Sequence, residues 1–426
     1  MSLFGAMDTA ISGLNSQSTA FGNIGDNIAN SQTTGFKRVD TSFLDLLTTS
    51  SATQNDPGSV LALPQYANTV QGTITQSSNP LALAITGPGF FQVSQASGST
   101  ASGPSFDSQT YYTRAGDFQP DKNGYLVNSA GDYLNGWLAQ ANGSIDTTTL
   151  APIRISQSID QPIATSTATL SANLPPTGNA GGGAITSNVS VYDAQGQSHQ
   201  LTINFASAGA GSNNWTLTVA DDAGRTIGTG TLAFGADGTL ASVTQGGTTT
   251  STAGAAAALT LNTTYPTSGG GTQAIALDLG SIGGTSGLTQ FAGSSFSLRG
   301  ITQDGVPPGA FSSVSMQANG DVVVNYDNGQ TRTVAQVPVA TFAAPDALQR
   351  QDGSAFTATA NSGAALTQAA GANGAGSLVT GATEASNVDI ASEFSQLIVA
   401  QQAYSANAKT VTTADTMMQA TIDMVR

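Results

Sequence analysis

The chain has 426 residues, of which 9% are charged, and a formal net charge of −15, whereas ordinary soluble domains carry about 25% charged residues. The acidic charge is spread thinly without a basic patch, which excludes nucleic acid as an expected partner, and no apolar run is long enough for membrane insertion. The chain contains no cysteine, which excludes disulfides, thiolate catalysis and cysteine-type zinc sites.

The first 30 residues predict an amphipathic helix with the spacing of a coiled-coil seam. Its large apolar residues recur at steps of three and four: Phe4, Met7, Ile11, Leu14, Phe21 and Ile28. The polar face is mostly Ser, Thr, Asn and Gln, and Asp8 and Asp26 are its only charged residues. Such a helix gains little from intrinsic propensity, so we expect packing to stabilise it. The alternative is an ordinary amphipathic helix that packs on its own domain.

Residues 31–70 are weakly patterned and are predicted to be a connecting segment. Within them Gly35 is expected to adopt a backbone angle that other residues avoid. From residue 71 onward, short apolar runs alternate with turn signals, which is typical of β-structure. Hairpin turns are predicted at residues 122–124 and 130–131 of this first β domain.

A change in composition near residue 150 begins a second β region. Its hairpin turns are predicted at 193–196, 221–224 and 237–238. The earlier pattern returns near residue 300, with turns at 319–320 and 327–329. We therefore predict that a first β domain, over 71–150 and 299–370, is interrupted by an inserted domain over 151–298.

The last part of the chain is predicted to be a flexible Gly/Ala/Ser linker over 371–384, followed by a helix over 385–426. This helix repeats the seam spacing of the first. Its seam residues are Ile390, Phe394, Leu397, Tyr404, Val411, Met418, Ile422 and Val425. The predicted fold class is mainly β with α-helical termini: paired terminal coiled-coil helices plus two nested β domains. Because each helix is too thin to fold alone, we expect the two to pair and to pack against other copies of the chain.

Candidate chemistry is sparse, and we predict a protein that is not an enzyme and has no cofactor or metal. The single histidine, His199, lies beside a hairpin turn and is interpreted as a surface strand residue. The only two glutamates are Glu384 and Glu393, near the last helix. The turn at Asp121 lacks the further acidic ligands of a calcium loop. Hairpin turns account for nearly all the aspartates.

Four blocks of the sequence resemble the bacterial flagellar rod and hook protein family. The segment NIGDNIANSQTTGFKR, over 23–38, is similar to the N-terminal signature of that family. The signature positions are Asn27, Asn30, Thr34, Gly35, Phe36 and Lys37. LALAITGPGFFQV and the blocks over 112–137 and 384–425 resemble its further shared segments. Distal rod members usually lack a large insertion, so the insertion favours a hook-type member.

The resemblance implies an extracellular helical homopolymer: a hollow, curved tube that acts as a universal joint and transmits torque. The terminal helices would line the inner tube. The implied partners are other copies, a rod protein, a hook cap, hook–filament junction proteins and the flagellar type III export apparatus. Export without a cleaved signal peptide is expected, because the N-terminus lacks a basic region followed by an apolar core.

Three alternatives stay open at this point. A distal rod protein of the same family would share the terminal seams. A secreted adhesin or surface-layer protein should lack paired seams at its two ends. A glycan-active enzyme should offer a clustered pair of acids, and the sequence shows none.

Overall fold

The computed structural model describes residues 3–50, 55–100, 103–140, 143–176, 184–209, 211–265 and 271–424. It confirms the predicted class, because the chain is mainly β with one long helix near each end. The chain divides into two compact units. The terminal unit comprises residues 1–157, 313–325 and 331–426, and the inserted unit comprises residues 158–312 and 326–330.

The terminal unit begins with a helix and twelve strands. They are α1 (Leu3–Ala29), β1 (Val39–Ser50), β2 (Asn55–Tyr66), β3 (Ile74–Gln76), β4 (Leu83–Thr86), β5 (Phe91–Ser94), β6 (Ala96–Thr100), β7 (Gly103–Phe106), β8 (Tyr111–Thr113), β9 (Gln119–Pro120), β10 (Leu126–Val127), β11 (Tyr133–Ala139) and β12 (Ile145–Pro152). β1 and β2 form a long antiparallel hairpin in which Leu44 lies opposite Leu61. The prediction of a connecting segment over 31–70 missed this hairpin, because its apolar residues cluster instead of alternating.

In the part of the inserted unit that the structure describes there are eleven strands. They are β13 (Thr167–Asn173), β14 (Ile185–Tyr192), β15 (Ser198–Ser207), β16 (Asn214–Ala220), β17 (Thr226–Phe234), β18 (Leu240–Gln245), β19 (Thr248–Thr250), β20 (Ala256–Thr264), β21 (Thr272–Ser281), β22 (Leu288–Thr289) and β23 (Ser297–Gln303). β14 to β19 form a six-stranded sheet in chain order, and the other five form a second sheet. Trp215, Phe205 and Leu259 are buried in the core of this unit, as the alternation of apolar and polar residues in its strands dictates.

The chain then completes the terminal unit. The elements are β24 (Phe311–Met316), β25 (Asp321–Tyr326), β26 (Thr331–Gln336), β27 (Val339–Thr341), β28 (Gln349–Gln351), β29 (Ala355–Thr357), β30 (Leu366–Gln368), β31 (Ser377–Thr380), β32 (Ala382–Glu384) and α2 (Ile390–Met424), with short 3-10 turns at Pro345–Ala347 and Asp352–Ser354. The main sheet has the order β24-β25-β26-β11-β5-β8-β29-β28. Its core is aromatic, and the rings of Phe91 and Phe118 meet edge-to-face at 5.6 Å.

The prediction of a flexible linker over 371–384 is wrong. β31 pairs with β4, and β32 pairs with β3, both antiparallel. Leu378, Ala382 and Glu384 are buried there. The Gly- and Ala-rich composition hid these strands, which are only four and three residues long. The two strands that precede α2 therefore contribute buried side chains to the terminal unit.

The predicted hairpin turns are confirmed. In most of them an Asp or Asn begins the turn, and its Oδ1 accepts hydrogen bonds from the backbone N–H groups two and four residues later. Four turns do this; they begin at Asp121, Asn128, Asp193 and Asp221. A glycine with positive φ follows three residues on in each case, such as Gly124 at +85°, a conformation that glycine adopts without strain.

His199 is not the surface strand residue that the sequence predicts. Its side chain is 8% exposed, with Nδ1 2.8 Å from Oδ2 of Asp222 and Nε2 3.3 Å from Oδ2 of Asp193. Its ring stacks on Tyr265 with centroids 3.7 Å apart. Asp193 begins one hairpin turn and Asp222 lies within another, and both carboxylates contact the imidazole. Spacing along the sequence could not reveal this arrangement.

Candidate assembly site

The two terminal helices lie against each other in antiparallel orientation. Gly13 faces Asn407 so closely that a Cβ on Gly13 would lie 2.8 Å from Asn407 Nδ2. Further along, the rings of Phe21 and Tyr404 meet edge-to-face at 6.2 Å. Positions that ascend along α1 therefore contact positions that descend along α2.

Most of the buried positions on the two helices carry small or polar side chains. α1 buries Ala10, Gly13, Ser16, Ala20, Ile24 and Asn27. α2 buries only Glu393, Ala400 and Ala414. Small side chains allow two helix axes to approach closely, because no bulky side chain separates them. The buried face of α1 therefore differs from the predicted seam by one position. Gly13 and Ala20 are buried where the sequence predicted Leu14 and Phe21.

The predicted seam residues divide into two groups. Those beside the helix contact are half-buried: Met7, Leu14, Phe21, Ile28, Leu397, Val411 and Met418. Those that are exposed are Phe4, Ile11, Ile390, Phe394, Tyr404 and Ile422. Val425 lies outside the described residues. The structure thus brings part of the predicted seam together within one chain and leaves its other large side chains in solvent.

The uncharged polar face of α1 has a structural reason that sequence analysis missed. Thr9 Oγ1 donates to the carbonyl oxygen of Gly58 at 2.7 Å, and Ser16 Oγ donates to that of Val60 at 2.8 Å. Ser12 Oγ accepts from the backbone N–H of Val60 at 2.9 Å. These hydroxyl groups satisfy strand groups that β1 does not pair, and they keep α1 on the hairpin.

The signature residue Asn27 performs the same function at the other end of the hairpin. Its Nδ2 donates to the carbonyl oxygen of Val39 at 3.0 Å, and its Oδ1 accepts from the N–H of Val39 at 2.9 Å. Asn27 is 1% exposed. The amide side chain therefore pairs with β1 as a neighbouring strand would.

Lys37 lies in a buried ionic cluster that joins both ends of the chain to the β-sheet. Its Nζ is 2.5 Å from Oε1 of Glu384, and Arg114 NH1 is 2.8 Å from Oε2 of the same carboxylate. Lys37 also donates to the carbonyl oxygen of Val70 at 2.7 Å. All three charged side chains are at most 4% exposed. Burial lowers the pKa of Lys37, and the nearby Glu384 carboxylate offsets part of that decrease.

The other signature residues build the turn between α1 and this cluster. Asn30 Nδ2 donates to Asp26 Oδ1 at 2.8 Å and closes the end of α1. Gly35 has φ +69°, and its N–H donates to the carbonyl oxygen of Glu384 at 2.8 Å. A Cβ on Gly35 would lie 2.4 Å from the backbone nitrogen of Ala115, so only glycine fits this close approach.

Phe36 and Thr34 complete the turn beside an open cavity. Phe36 is 2% exposed, and the Arg350 guanidinium lies 4.6 Å from its ring centroid. Thr34, Asn30 and Phe36 line the cavity of about 590 Å³ together with residues of the sheet. Asn30, Gly35 and Phe36 thus build the connection between the end of α1 and the sheet.

Sequence analysis missed Glu384, Arg114 and Asn387 as members of this site. Asn387 Oδ1 accepts from the N–H of Arg38 at 2.7 Å, and its Nδ2 donates to the carbonyl oxygen of Val70 at 3.0 Å. The one available signal was the rarity of glutamate, because Glu384 is one of only two glutamates in the chain. Scarcity alone does not identify a partner 347 residues away.

A leucine face covers one side of the β1–β2 hairpin. It consists of Leu44, Leu46, Leu61 and Leu63, which are 42–46% exposed. A second apolar feature is a groove of about 320 Å³ between α1, α2 and β1, lined in part by Ile24, Phe43 and Val399. Contiguous exposed apolar surface of this kind marks interaction sites.

Over the described ranges, none of the helices is long and apolar enough to cross a membrane. Within the same residues, His, Cys, Asp and Glu side chains form no group of three or more that could hold a metal ion.

Comparison with known proteins gives four family models along the chain. They are "Flagella basal body rod protein" at 7–37, "Flagellar hook protein FlgE/F/G D1 domain" at 84–173, "Flagellar basal body protein FlaE D2 domain" at 164–306 and "Flagellar basal body rod FlgEFG protein C-terminal" at 379–424. The second and third matches fall on the β-structure, and the first and last on the chain ends.

Similar proteins extend over the whole chain. "Flagellar hook protein FlgE" of Brucella abortus is 34% identical over 431 residues, covering 100% of both chains. The protein of the same name from Rhizobium meliloti is 34% identical over 436 residues, again covering 100% of both. The crystal structure of Helicobacter pylori flagellar hook protein FlgE2 aligns with a TM-score of 0.49 at 14% identity, covering 71% of this chain and 98% of that chain.

Proposed function

We propose that this chain, which belongs to the flagellar hook protein family, assembles with copies of itself into a hollow, curved helical tube. The contacts between copies are made by the terminal helices and the hairpin. The chain is a structural subunit of the bacterial flagellar hook. In the proposal the tube is a universal joint that passes torque from the rod to the filament. Contacts between copies that do not close into a ring generate such a helical polymer.

The observation that carries this proposal is the distribution of exposed apolar side chains. Most of the large ones on the described residues lie on α1, the β1–β2 hairpin and α2. On α2, Phe394 is 50% exposed and Ile398 is 53% exposed. A stable monomer rarely leaves so much contiguous apolar surface in water. Burying it against other copies supplies the driving force for assembly.

The groove between α1, α2 and β1 supplies a receptor for that contact. Its lining is mainly apolar and includes Ala20, Ile24, Val39 and Phe43. We infer that an apolar side chain from the terminal helices of a second copy fills it. The leucine face of the hairpin would cover a further part of the same neighbour.

The partners and location follow in the proposal from family membership. The partners are other copies of this chain, a rod protein, a hook cap, hook–filament junction proteins and the type III export apparatus. The location is the extracellular part of the flagellum, reached without a cleaved signal peptide. A distal rod subunit is less well supported, because a model of the inserted domain matches residues 164–306.

The test is electron microscopy of a strain whose own hook gene is replaced by one encoding Phe394→Asp or Ile398→Asp. Both side chains are already exposed in the single chain, so the purified variants should keep the thermal transition of the parent. In the assembled tube the new carboxylate would be excluded from water, which costs several kcal/mol per subunit. We expect basal bodies with rods and no hooks.

Leu366→Asp is the matched control, because Leu366 is 61% exposed on β30, a strand that pairs with β27 and belongs to neither the helices nor the hairpin. Hooks should form with this variant. Normal hooks with either α2 variant would show that the exposed face of α2 is not an assembly surface.

A further inference from the structure

Glu393 is a buried acid in the contact between the terminal helices. Its side chain is 1% exposed, and its Oε2 has no hydrogen-bond partner among the described residues. It lies on the column of α2 that contacts α1, seven residues before Ala400. Every other strongly buried side chain on this helix is an alanine. A carboxylate at such a position carries a large desolvation cost.

The groups around Glu393 do not neutralise it. Asn27 of α1 hydrogen-bonds to its side chain, and the charged groups that act on it are Arg38, Asp40 and Asp389. Arg38, the nearby cation, has its Nε 3.2 Å from Oδ2 of Asp40 and is committed to that surface pair. The remaining two neighbours, Asp40 and Asp389, are acidic and repel a carboxylate.

We propose that Glu393 is a protonation switch for the pairing of the terminal helices: the neutral carboxyl group packs between α1 and α2, and the ionised form loosens the first turns of α2. A neutral carboxyl group can donate one hydrogen bond and is far less costly to bury than a carboxylate. A polar group in an otherwise apolar or small-residue seam also fixes helix register, at a cost in stability.

The direction of the pH effect follows from the burial. Burial raises the pKa of Glu393 above its ordinary value of 4.5, and the Asn27 hydrogen bond offsets only part of that increase. An acid whose pKa is raised on folding favours the folded state while it is protonated. The pairing is therefore strongest at acidic pH and weakens as pH rises through the raised pKa of Glu393.

Tighter pairing of α1 and α2 would hold their exposed faces in one fixed arrangement and so favour assembly. This effect on assembly rests on the proposed function. The pairing itself is measured on the dilute, unassembled full-length chain. A failure of the switch is therefore distinguishable from a failure of the proposed assembly.

The test compares the parent chain with Glu393→Gln, which keeps the side-chain shape and cannot ionise. Thermal unfolding is followed by circular dichroism at 222 nm, a wavelength at which the two helices provide most of the signal. The measurement is repeated between about pH 4.5 and 7.5. We expect the midpoint of the parent to fall relative to the variant as pH rises. At the upper end the variant should unfold at the higher temperature.

Asp415→Asn is the matched control, because it removes a carboxylate from an exposed position of the same helix. It should follow the pH profile of the parent. Glu393→Ala serves as a second variant and should lose the same pH dependence, even if its overall stability is lower. Parallel pH profiles for the parent and both Glu393 variants would overturn the proposal.

Discussion

Glu384 accepts hydrogen bonds from three segments that are distant in sequence. Its carboxylate binds Lys37, the backbone N–H of Gly72 and Arg114, and it is fully buried. In a low-dielectric site such a carboxylate is stabilised only while its cationic partners remain in place, and they depend on it equally. The two ends of the chain are thus joined to the sheet by one side chain.

Removing this charge should destabilise the terminal unit strongly. Glu384→Gln would leave the Lys37 and Arg114 cations buried without a counter-charge, and breaking a buried ion pair in this way costs about 3–5 kcal/mol. Chemical denaturation is the appropriate measurement, with fluorescence of Trp137 reporting on the terminal unit. Trp215 should report little change, because it lies in the core of the inserted unit.

The control for this prediction is Asp40→Asn, which removes the acid of the half-exposed pair with Arg38. A surface pair contributes about 0–1 kcal/mol, so this variant should unfold close to the parent. Equal decreases in the free energy of unfolding of the two variants would show that the buried cluster contributes no more to stability than the Arg38–Asp40 pair.

Among the single elements, α1 shows why a helix can carry very few charged residues. Its hydroxyl and amide side chains hydrogen-bond to the hairpin, as Ser16 does to Val60. Lysine or glutamate at the same positions would reach past the strand and leave its backbone groups unpaired. The polar composition therefore suits the strand beside the helix.

Ser16→Ala should lower the free energy of unfolding of the terminal unit by about 0.5–1.5 kcal/mol, because it removes the hydrogen bond to the partly buried carbonyl group of Val60. Ser18→Ala is the matched control, since Ser18 is exposed on the same helix. Alanine has the higher helix propensity, so the control should be neutral or slightly stabilising. Equilibrium denaturation of the two variants, side by side, measures the difference.

The helix contact gives a second prediction at this scale. Gly13→Leu should weaken pairing by about 1–3 kcal/mol, because the side chain would collide with Asn407. Gly22→Leu should instead stabilise α1 by about 0.5–1 kcal/mol, since a Cβ on Gly22 meets no atom within 4 Å. Helix unfolding followed at 222 nm distinguishes them. A loss of stability in both variants would argue against close packing at Gly13.

The sequence predicts those elements whose pattern lies within a few neighbouring residues, and it does not predict contacts between distant residues. The helices and the hairpin turns follow from local spacing and turn chemistry, as at Asp121. The Gly13–Asn407 contact and the Lys37–Glu384 pair join residues far apart, and no local pattern encodes them. The large apolar residues correctly predict that both segments are amphipathic helices. The face of α1 that packs against α2 carries small residues, because large side chains would keep the two helices apart.

For the whole molecule, the inserted unit is tethered at neighbouring points. The backbone N–H of Asp160 donates to the carbonyl oxygen of Gly309 at 2.8 Å, and that of Ile163 donates to Val306 at 3.0 Å. An insertion whose ends meet can be removed without stretching its host. We propose that the inserted unit forms an outer layer of the assembled tube, and the meeting of its ends is compatible with such an addition.

Replacing residues 161–308 by a short Gly-Ser loop should therefore leave the terminal unit folded and able to polymerise. Contacts made by the inserted unit would be lost, so we expect straight hooks and impaired swimming. Electron microscopy and a motility assay measure the two effects. Curved hooks with normal swimming would show that the inserted unit does not set curvature.

The most direct test of the central claim is a cryo-electron microscopy reconstruction of the assembled polymer at side-chain resolution. We expect α1 and α2 to form the innermost layer, with Phe394, Ile398 and the leucine face of the hairpin buried between copies. A reconstruction in which these side chains remain in solvent, while other surfaces join the subunits, would contradict it.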